Sequence, residues 1–282
     1  MNSIERDALP ADAPSQRVFI EDSPPRAWPL LDVWRLFLYQ VRTTLRSPIW
    51  YLFAIIQPVM WLFLFGQLFH VMTTLPSFET ESYSRYLAPG LAIMSALMSS
   101  SFAGLGLLEL IQSGAMDRFL TTPVSRSALL GGRVLHAAAL VVSQCLAVLV
   151  AAALIGAGPP KTFTGVLLLI GAAVILSAGC AAASTALAMV LRRAQTLTAV
   201  LNFCLLPIYF TSSLFMTPDL MPLWIQRLAA CNPLNWAVTV ARHGFEGRPM
   251  GEVSGELGLL LAFCLVCWGL SLHLFERYRA AL

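Results

Sequence analysis

An all-α integral membrane protein with six transmembrane helices is the fold class this sequence predicts, and three observations predict it. Of the 282 residues 57% are hydrophobic and only 12% charged, with a mean hydropathy of +0.72. That is too much apolar surface for one soluble domain to bury. Apolar stretches recur at about 49–69, 87–108, 135–155, 166–191, 197–215 and 257–274, close to the roughly 20 residues a helix needs to cross a hydrocarbon core of about 30 Å. Finally, the basic residues gather on alternate connections, as they do when loops take turns facing the cytoplasm.

Taken in order, residues 1–29 are rich in Pro and charge and carry no apolar period, so a disordered or loosely extended cytoplasmic segment is expected there. No basic stretch leading into a short apolar core and a small-residue cleavage site is present, which argues against a cleaved secretory signal. Residues 30–282 read as one transmembrane domain. From Leu30 to Arg46 the residues Leu30, Val33, Trp34, Phe37, Leu38, Val41 and Leu45 recur at helical spacing, with Arg35, Arg42 and Arg46 on other faces. Such a helix lies in the membrane interface, its arginines beside anionic headgroups.

The first span is interrupted by Gln57-Pro58. Pro removes a backbone donor and bends the helix, while Gln carries a polar group inward; the pair serves either as a kink facing a transported molecule or as a tolerated bend. A polar loop over 70–86 precedes the second span, which opens at Pro89-Gly90 and closes at Glu109. Next comes a polar island, Ser113 to Arg133, with Asp117, Arg118, Arg126 and Arg133 in a chain otherwise short of charge. After the third span, the turn Gly156–Thr162 superficially resembles a phosphate loop, yet Pro160 stands before Lys161 where a glycine N–H is required. No ATP site is expected in the chain. The fourth span is rich in Gly171, Ala178, Gly179, Ala182 and Ala183, small residues that let helices approach closely.

Arg192-Arg193 ends that span, and the fifth contains Asn202, Pro207 and Tyr209. Between Met216 and Gly255 two amphipathic pieces, around Leu220–Leu228 and Asn235–Phe245, are each too short to cross a bilayer. They form outer half-helices, either re-entrant or lying on the outer surface, before the last span. With the amino terminus inside, the cytoplasmic segments hold thirteen of the Lys and Arg residues. The outer ones hold five: Arg85, Lys161, Arg227, Arg242 and Arg248. Both termini therefore face the cytoplasm.

Several classes of function are disfavoured. Dispersed basic residues leave no footprint for nucleic acid. His70, His136, His243 and His273 are scattered, so no metal set is expected, and Cys264-x-x-Cys267 lacks a second pair and lies mid-span. Serines such as Ser99–Ser101 and Ser177 have no activating context for an intramembrane protease. Intramembrane charge is nearly absent, which argues against ion-coupled transport; Glu109 at a span edge is the near exception. What remains is a route lined by kinked helices and the polar residues Gln57, Gln144, Asn202 and Tyr209, of which Gln57, Asn202 and Tyr209 are the candidate path for a transported molecule.

The order of parts resembles a known family. Gln57-Pro-Val-Met60 with Leu64-Phe-Gly66, then Tyr86-Leu-Ala-Pro-Gly90, then Gly114 with Asp117-Arg-Phe119 and Pro123-Val-Ser-Arg-Ser127, then Asn232-Pro-Leu-Asn-Trp-Ala237 followed by Arg242, are similar to the daunorubicin-resistance-like permeases. Those are type 2 membrane subunits of ATP-binding-cassette (ABC) exporters. Each motif is short, and their order over Leu30–Arg279 carries the likeness. The resemblance implies a bacterial plasma (inner) membrane protein that is itself no enzyme. It implies a partnership with a second permease copy or a homologous permease, two cytoplasmic ATPase subunits that hold ATP and Mg, and membrane lipids.

It further implies that 114–126 forms a coupling helix, through Gly114, Met116, Asp117, Arg118, Phe119, Leu120, Pro123 and Arg126, and that Trp34, Arg35, Arg42 and Arg46 belong to the interfacial helix. Ser113-Gly-Ala-Met departs from the Glu or Thr that many members carry near the start of that loop. The cargo expected is an amphipathic drug, natural product or lipid, with lipid-linked polysaccharide or glycolipid as the alternative within the family and an intramembrane enzyme or scaffold as the alternative outside it.

Overall fold

The computed structural model describes residues 34–35, 37–38, 41–42, 48–69, 82–112 and 126–280. Every regular element among them is helical: α1 (Pro48–Leu68), α2 (Tyr83–Ser101), α3 (Ala103–Gln112), α4 (Arg126–Leu154), α5 (Phe163–Leu191), α6 (Ala194–Phe210), α7 (Leu223–Ala230), α8 (Pro233–Glu246) and α9 (Ser254–Ala280), with 3₁₀ turns at Pro218–Leu220 and Met250–Val253. Four stretches are long and apolar enough to cross a membrane: Tyr83–Glu109, Leu135–Leu154, Phe163–Leu191 and Met250–Leu274. Two shorter apolar helices, Leu52–Leu68 and Ala194–Phe210, accompany them. This is a multi-pass membrane protein.

Helix α5 runs through the middle, packed against α2, α3, α4, α8 and α9. Its composition explains the position, because small side chains let a helix be approached from many sides. A Cβ on Gly165 would run into the Gly244 carbonyl of α8, and one on Gly179 would lie 2.8 Å from the Phe263 ring of α9. Gly171, expected to serve the same purpose, has open space where its Cβ would stand. The Gly165–Gly244 crossing was not anticipated from sequence.

Helix ends follow local chemistry. Ser82 caps α2 by accepting from the Arg85 N–H, Thr162 caps α5 through Gly165, and Asn232 caps α8 through Leu234 with Pro233 at the first turn. Gly247, at φ 73°, closes α8 in the left-handed region that glycine favours. Gly156 and Gly158 take positive φ in the turn before α5, so that segment is a tight reversal, as expected.

Two boundaries differ from the sequence reading. The second helix begins at Tyr83 rather than near Leu87, because Ser82 supplies a cap, and it continues through Pro89 at the loss of one donor, the one that would have served the Arg85 carbonyl. The fifth apolar helix ends at Phe210 rather than 215. Beyond it Thr211–Met216 turns back, and Thr211 and Ser212 hydroxyls bond the carbonyls of Pro207 and Tyr209, a local competition that ends helices.

Contacts define two ends of the bundle. At one, the start of α2 meets the end of α4 (Arg85 to Ala157), the end of α6 (Tyr86 to Ser213) and α8. The start of α5 meets α8 there too, and Gly66 of α1 faces Ser84. At the other end, the end of α3 shares a hollow with the start of α6. The end of α3 and the Arg192–Arg193 turn therefore lie at this second end. Of the N-terminal amphipathic stretch, Trp34, Arg35, Phe37, Leu38, Val41 and Arg42 are described, all helical, with Trp34 half-exposed and its ring 5.2 Å from that of Phe37; Arg46 lies outside the described residues.

Candidate functional site

The residues assigned to ATPase coupling, Gly114, Met116, Asp117, Arg118, Phe119, Leu120 and Pro123, lie outside the described residues, as does the side chain of Arg126 at the start of α4. The three residues expected along a transport path are described, and they occupy three different places. Gln57 lines a cavity between α1, α2 and α4. Asn202 lines a hollow of about 450 Å³ with Leu105, Glu109, Gln195 and Thr198 at the end that bears Arg192 and Arg193. Tyr209 is half-buried, and its hydroxyl finds no partner among the described residues.

The first cavity has a volume of about 310 Å³. Phe53, Trp61, Leu91, Met94, Met98 and Phe102 supply its apolar walls, and Gln57, Ser95, Ser99 and Gln144 its polar groups. Gln144 is 3% exposed, and its side-chain oxygen accepts from the Ser99 hydroxyl at 3.2 Å. The polarity of Gln144 was visible in the sequence, whereas its convergence with Gln57 required the packing of α4 against α1 and α2.

At the opposite end the structure assembles a knot that the sequence announced only as separate motifs. Arg242 of α8 lays its guanidinium over the Tyr86 ring, 3.6 Å from the centroid. It donates to the Ser213 carbonyl at 2.5 Å, the Leu214 carbonyl at 3.1 Å and the Ser213 hydroxyl at 3.2 Å, with a longer contact of 3.4 Å to the Tyr86 carbonyl. Tyr86 and Tyr83 donate their hydroxyls to the carbonyls of Ser213 and Phe215, at 2.9 and 2.8 Å. Asn235 accepts from the Ser213 N–H at 2.9 Å, and Asn232 donates to the Ile208 carbonyl at 2.8 Å and the Thr211 hydroxyl at 3.1 Å.

The chemistry of this knot is mechanical. The turn after α6 exposes carbonyls that no helix satisfies, and in a water-poor setting each needs a donor. A planar guanidinium with five N–H groups satisfies several at once and stacks on an aromatic face besides. The turn is thereby fixed to α2 and α8. Beside it Arg85 donates to the Ala157 carbonyl at 2.8 Å and sits 5.1 Å from the Phe245 ring centroid, tying the end of α4 to the same surface. Among the described residues no group of three or more His, Cys, Asp or Glu side chains is placed to hold a metal ion.

The family model of the ABC-2 type transporter matches residues 32–245. This chain is 29% identical over 213 residues to a putative transport permease ycf38 of Porphyra purpurea, covering 75% of this chain and 71% of the relative. It is 27% identical over 206 residues to the daunorubicin resistance ABC transporter permease protein DrrB1 of Streptomyces coeruleorubidus, covering 71% of each. A ycf38 permease of Cyanophora paradoxa is 28% identical over 198 residues, covering 70% of this chain and 68% of that one. The likeness and the helical membrane architecture agree, and the chain belongs to the ABC-2 type transporter family as a membrane permease subunit, a transporter component rather than an enzyme.

Proposed function

We propose that this permease exports an amphipathic molecule, a drug, natural product or lipid, from the cytoplasm or inner leaflet of a bacterial plasma membrane. Two copies, or this chain and a homologous permease, pair in the membrane and engage two ABC ATPase subunits that bind ATP and Mg. Six helices cross the bilayer: α1, α2 with α3, α4, α5, α6 and α9. The end bearing Arg192, Arg193 and the 113–125 connection faces the cytoplasm together with both termini, in keeping with the bias of basic residues. The short helices α7 and α8 dip into the outer leaflet as a re-entrant pair.

One observation carries this reading: the two ends of the bundle are built differently. The Arg242 knot ties α2, α8 and the turn after α6 into one body at one end. The last residues of α3, which the polar 113–125 sequence follows, lie at the other end beside the start of α6. A motor pushing on that connection moves α3 and α4 against a fixed outer frame, which is how a local displacement becomes a change of access. Asp117 and Arg118 are the charges through which the push arrives, and Trp34–Arg42 anchors the neighbouring interface.

The test is reconstitution with ABC ATPase subunits from the same cell. ATP hydrolysis stimulated by the permease is expected to fall at least about fivefold in Asp117→Ala or Arg118→Ala, the scale of losing one charged interface contact. Unaltered stimulation in both variants, or no association with an ATPase, overturns the reading.

A further inference from the structure

We propose that the cavity between α1, α2 and α4 is a binding site for an uncharged amphiphile, and that the side-chain amide of Gln144 reads an oxygen on its polar head. At about 310 Å³ the cavity is at the lower end of the range of small-molecule sites, roughly 300–1,000 Å³. Gln144 lies nine residues beyond Leu135 and ten before Leu154, the ends of its apolar stretch, and Gln57 lies five residues beyond Leu52 in the stretch that ends at Leu68. At 1.5 Å per residue Gln144 is about 14 Å along its stretch, near the middle of a hydrocarbon core about 30 Å thick.

A polar group at that depth is costly unless it is hydrogen-bonded. The serines on the cavity wall are satisfied: Ser95 donates to the Ala92 carbonyl at 2.8 Å, and Ser99 divides its proton between the Ala96 carbonyl and Gln144, both at 3.2 Å. Gln144 is satisfied at one end only. Its oxygen is held by Ser99, and its NH₂ has no acceptor among the described residues although the residue is 3% exposed and lines the cavity. A second group belongs to the α1 residues that line the cavity. Pro58 has no N–H, so the carbonyl of Ala54 lacks its usual helical donor, and both residues line the same cavity.

An NH₂ that needs an acceptor and a carbonyl that needs a donor, both on residues lining one cavity, are complementary to a hydroxyl or primary amide. Among the described residues no Asp, Glu, Lys or Arg lines the cavity, so a charged head would stand unpaired in a low-dielectric setting. The body of the ligand meets Phe53, Trp61 and Phe102, flat surfaces for rings or chains, with Met94 and Met98 adapting to its outline. Phe53 and Gln57 are exposed, which opens the cavity sideways beside α1, on the route a molecule dissolved in the bilayer would take. Naming this molecule the cargo rests on the export reading above, whereas its binding does not.

The test uses the purified full-length permease in lipid nanodiscs, without ATPase, and an aryl-diazirine benzyl alcohol as photoprobe. The benzylamine and benzoate analogues of the same aryl-diazirine are run beside it at matched membrane content. Labelling by the alcohol is expected to saturate and to fall on the peptides spanning Phe53–Trp61 and Met94–Phe102. The charged analogues should label these peptides about tenfold less. Gln144→Leu should reduce alcohol labelling on the order of fivefold to tenfold, as loss of a hydrogen bond to a buried donor would. Because that change also removes the Ser99 contact, Ala54→Phe is the companion variant: it fills the cavity from α1, leaves the Ser99–Gln144 pair in place, and should abolish saturable labelling with an unchanged size-exclusion profile.

Competition by dioctanoylglycerol would assign the site to an uncharged lipid, and competition by the unlabelled aryl alcohol alone to a solute. Equal labelling by the three analogues, or labelling indifferent to both variants, overturns the proposal. An ATPase that couples normally to a permease lacking saturable labelling refutes the cavity alone, and saturable labelling of a permease that pairs with no ATPase refutes export alone.

Discussion

Arg242 is a half-buried charge whose partners are mostly backbone oxygens rather than a carboxylate, so its contribution depends on geometry more than on net charge. Arg242→Lys keeps the charge but loses the planar fork and the stacking on Tyr86. It is expected to destabilise the protein by about 2–3 kcal/mol, because carbonyls of the turn lose donors where water is scarce; thermal unfolding in detergent measures this. Tyr86→Phe removes one hydrogen bond and leaves the ring under the guanidinium, so a loss of only about 1 kcal/mol is expected. A Tyr86→Phe loss as large as that of Arg242→Lys would place the weight of the knot on the tyrosine hydroxyl. Both residues stand in stretches the sequence marked, Tyr86 at the head of Tyr-Leu-Ala-Pro-Gly and Arg242 after Asn-Pro-Leu-Asn-Trp-Ala, but nothing in either stretch says that the two meet. They lie 156 residues apart, and helical period records which face a residue occupies without saying what lies opposite.

Among the helices, α5 and α8 cross where two glycines face each other. A methyl on Gly165 would overlap the Gly244 carbonyl, and one on Gly244 would sit 2.6 Å from the Gly165 carbonyl. Gly165→Ala must separate the helices or shift their backbones, since a carbonyl cannot rotate aside as a side chain can. A loss of about 2–3 kcal/mol is expected, as for overpacking a tight core, against little change for Gly171→Ala, whose site is open. Comparing the melting temperatures of the two variants checks the pair; equal effects would place the close crossing elsewhere. Asn232→Ala should cost about 1 kcal/mol for the lost cap of α8, and more where its bonds to Ile208 and Thr211 also matter. The abundance of small residues in α5 was plain from the sequence. Which of them touch was not, because close approach is a property of two helices and a sequence window contains one.

For the molecule as a whole, the arrangement of ends predicts topology. A thiol introduced by Met250→Cys, exposed in the 3₁₀ turn between α8 and α9, is expected to react with a membrane-impermeant maleimide applied to intact cells, whereas a thiol introduced by Arg193→Cys should react only after permeabilisation. The reverse pattern would invert the protein in the membrane and move the 113–125 connection outside. Composition and apolar run length by themselves determined that this is a helical, multi-pass membrane protein, since backbone groups in lipid must be satisfied within a helix and about 20 apolar residues span the core. The order of short motifs carried the family likeness. Only the tertiary structure decided that Gln57 and Gln144 share one cavity while Asn202 and Tyr209 lie elsewhere, and that Tyr86, Ser213, Asn235 and Arg242 form one knot. The physical reason is that polarity along a chain is local, whereas hydrogen bonds inside a membrane protein pair groups from distant helices whose mutual rotation is set by side-chain packing.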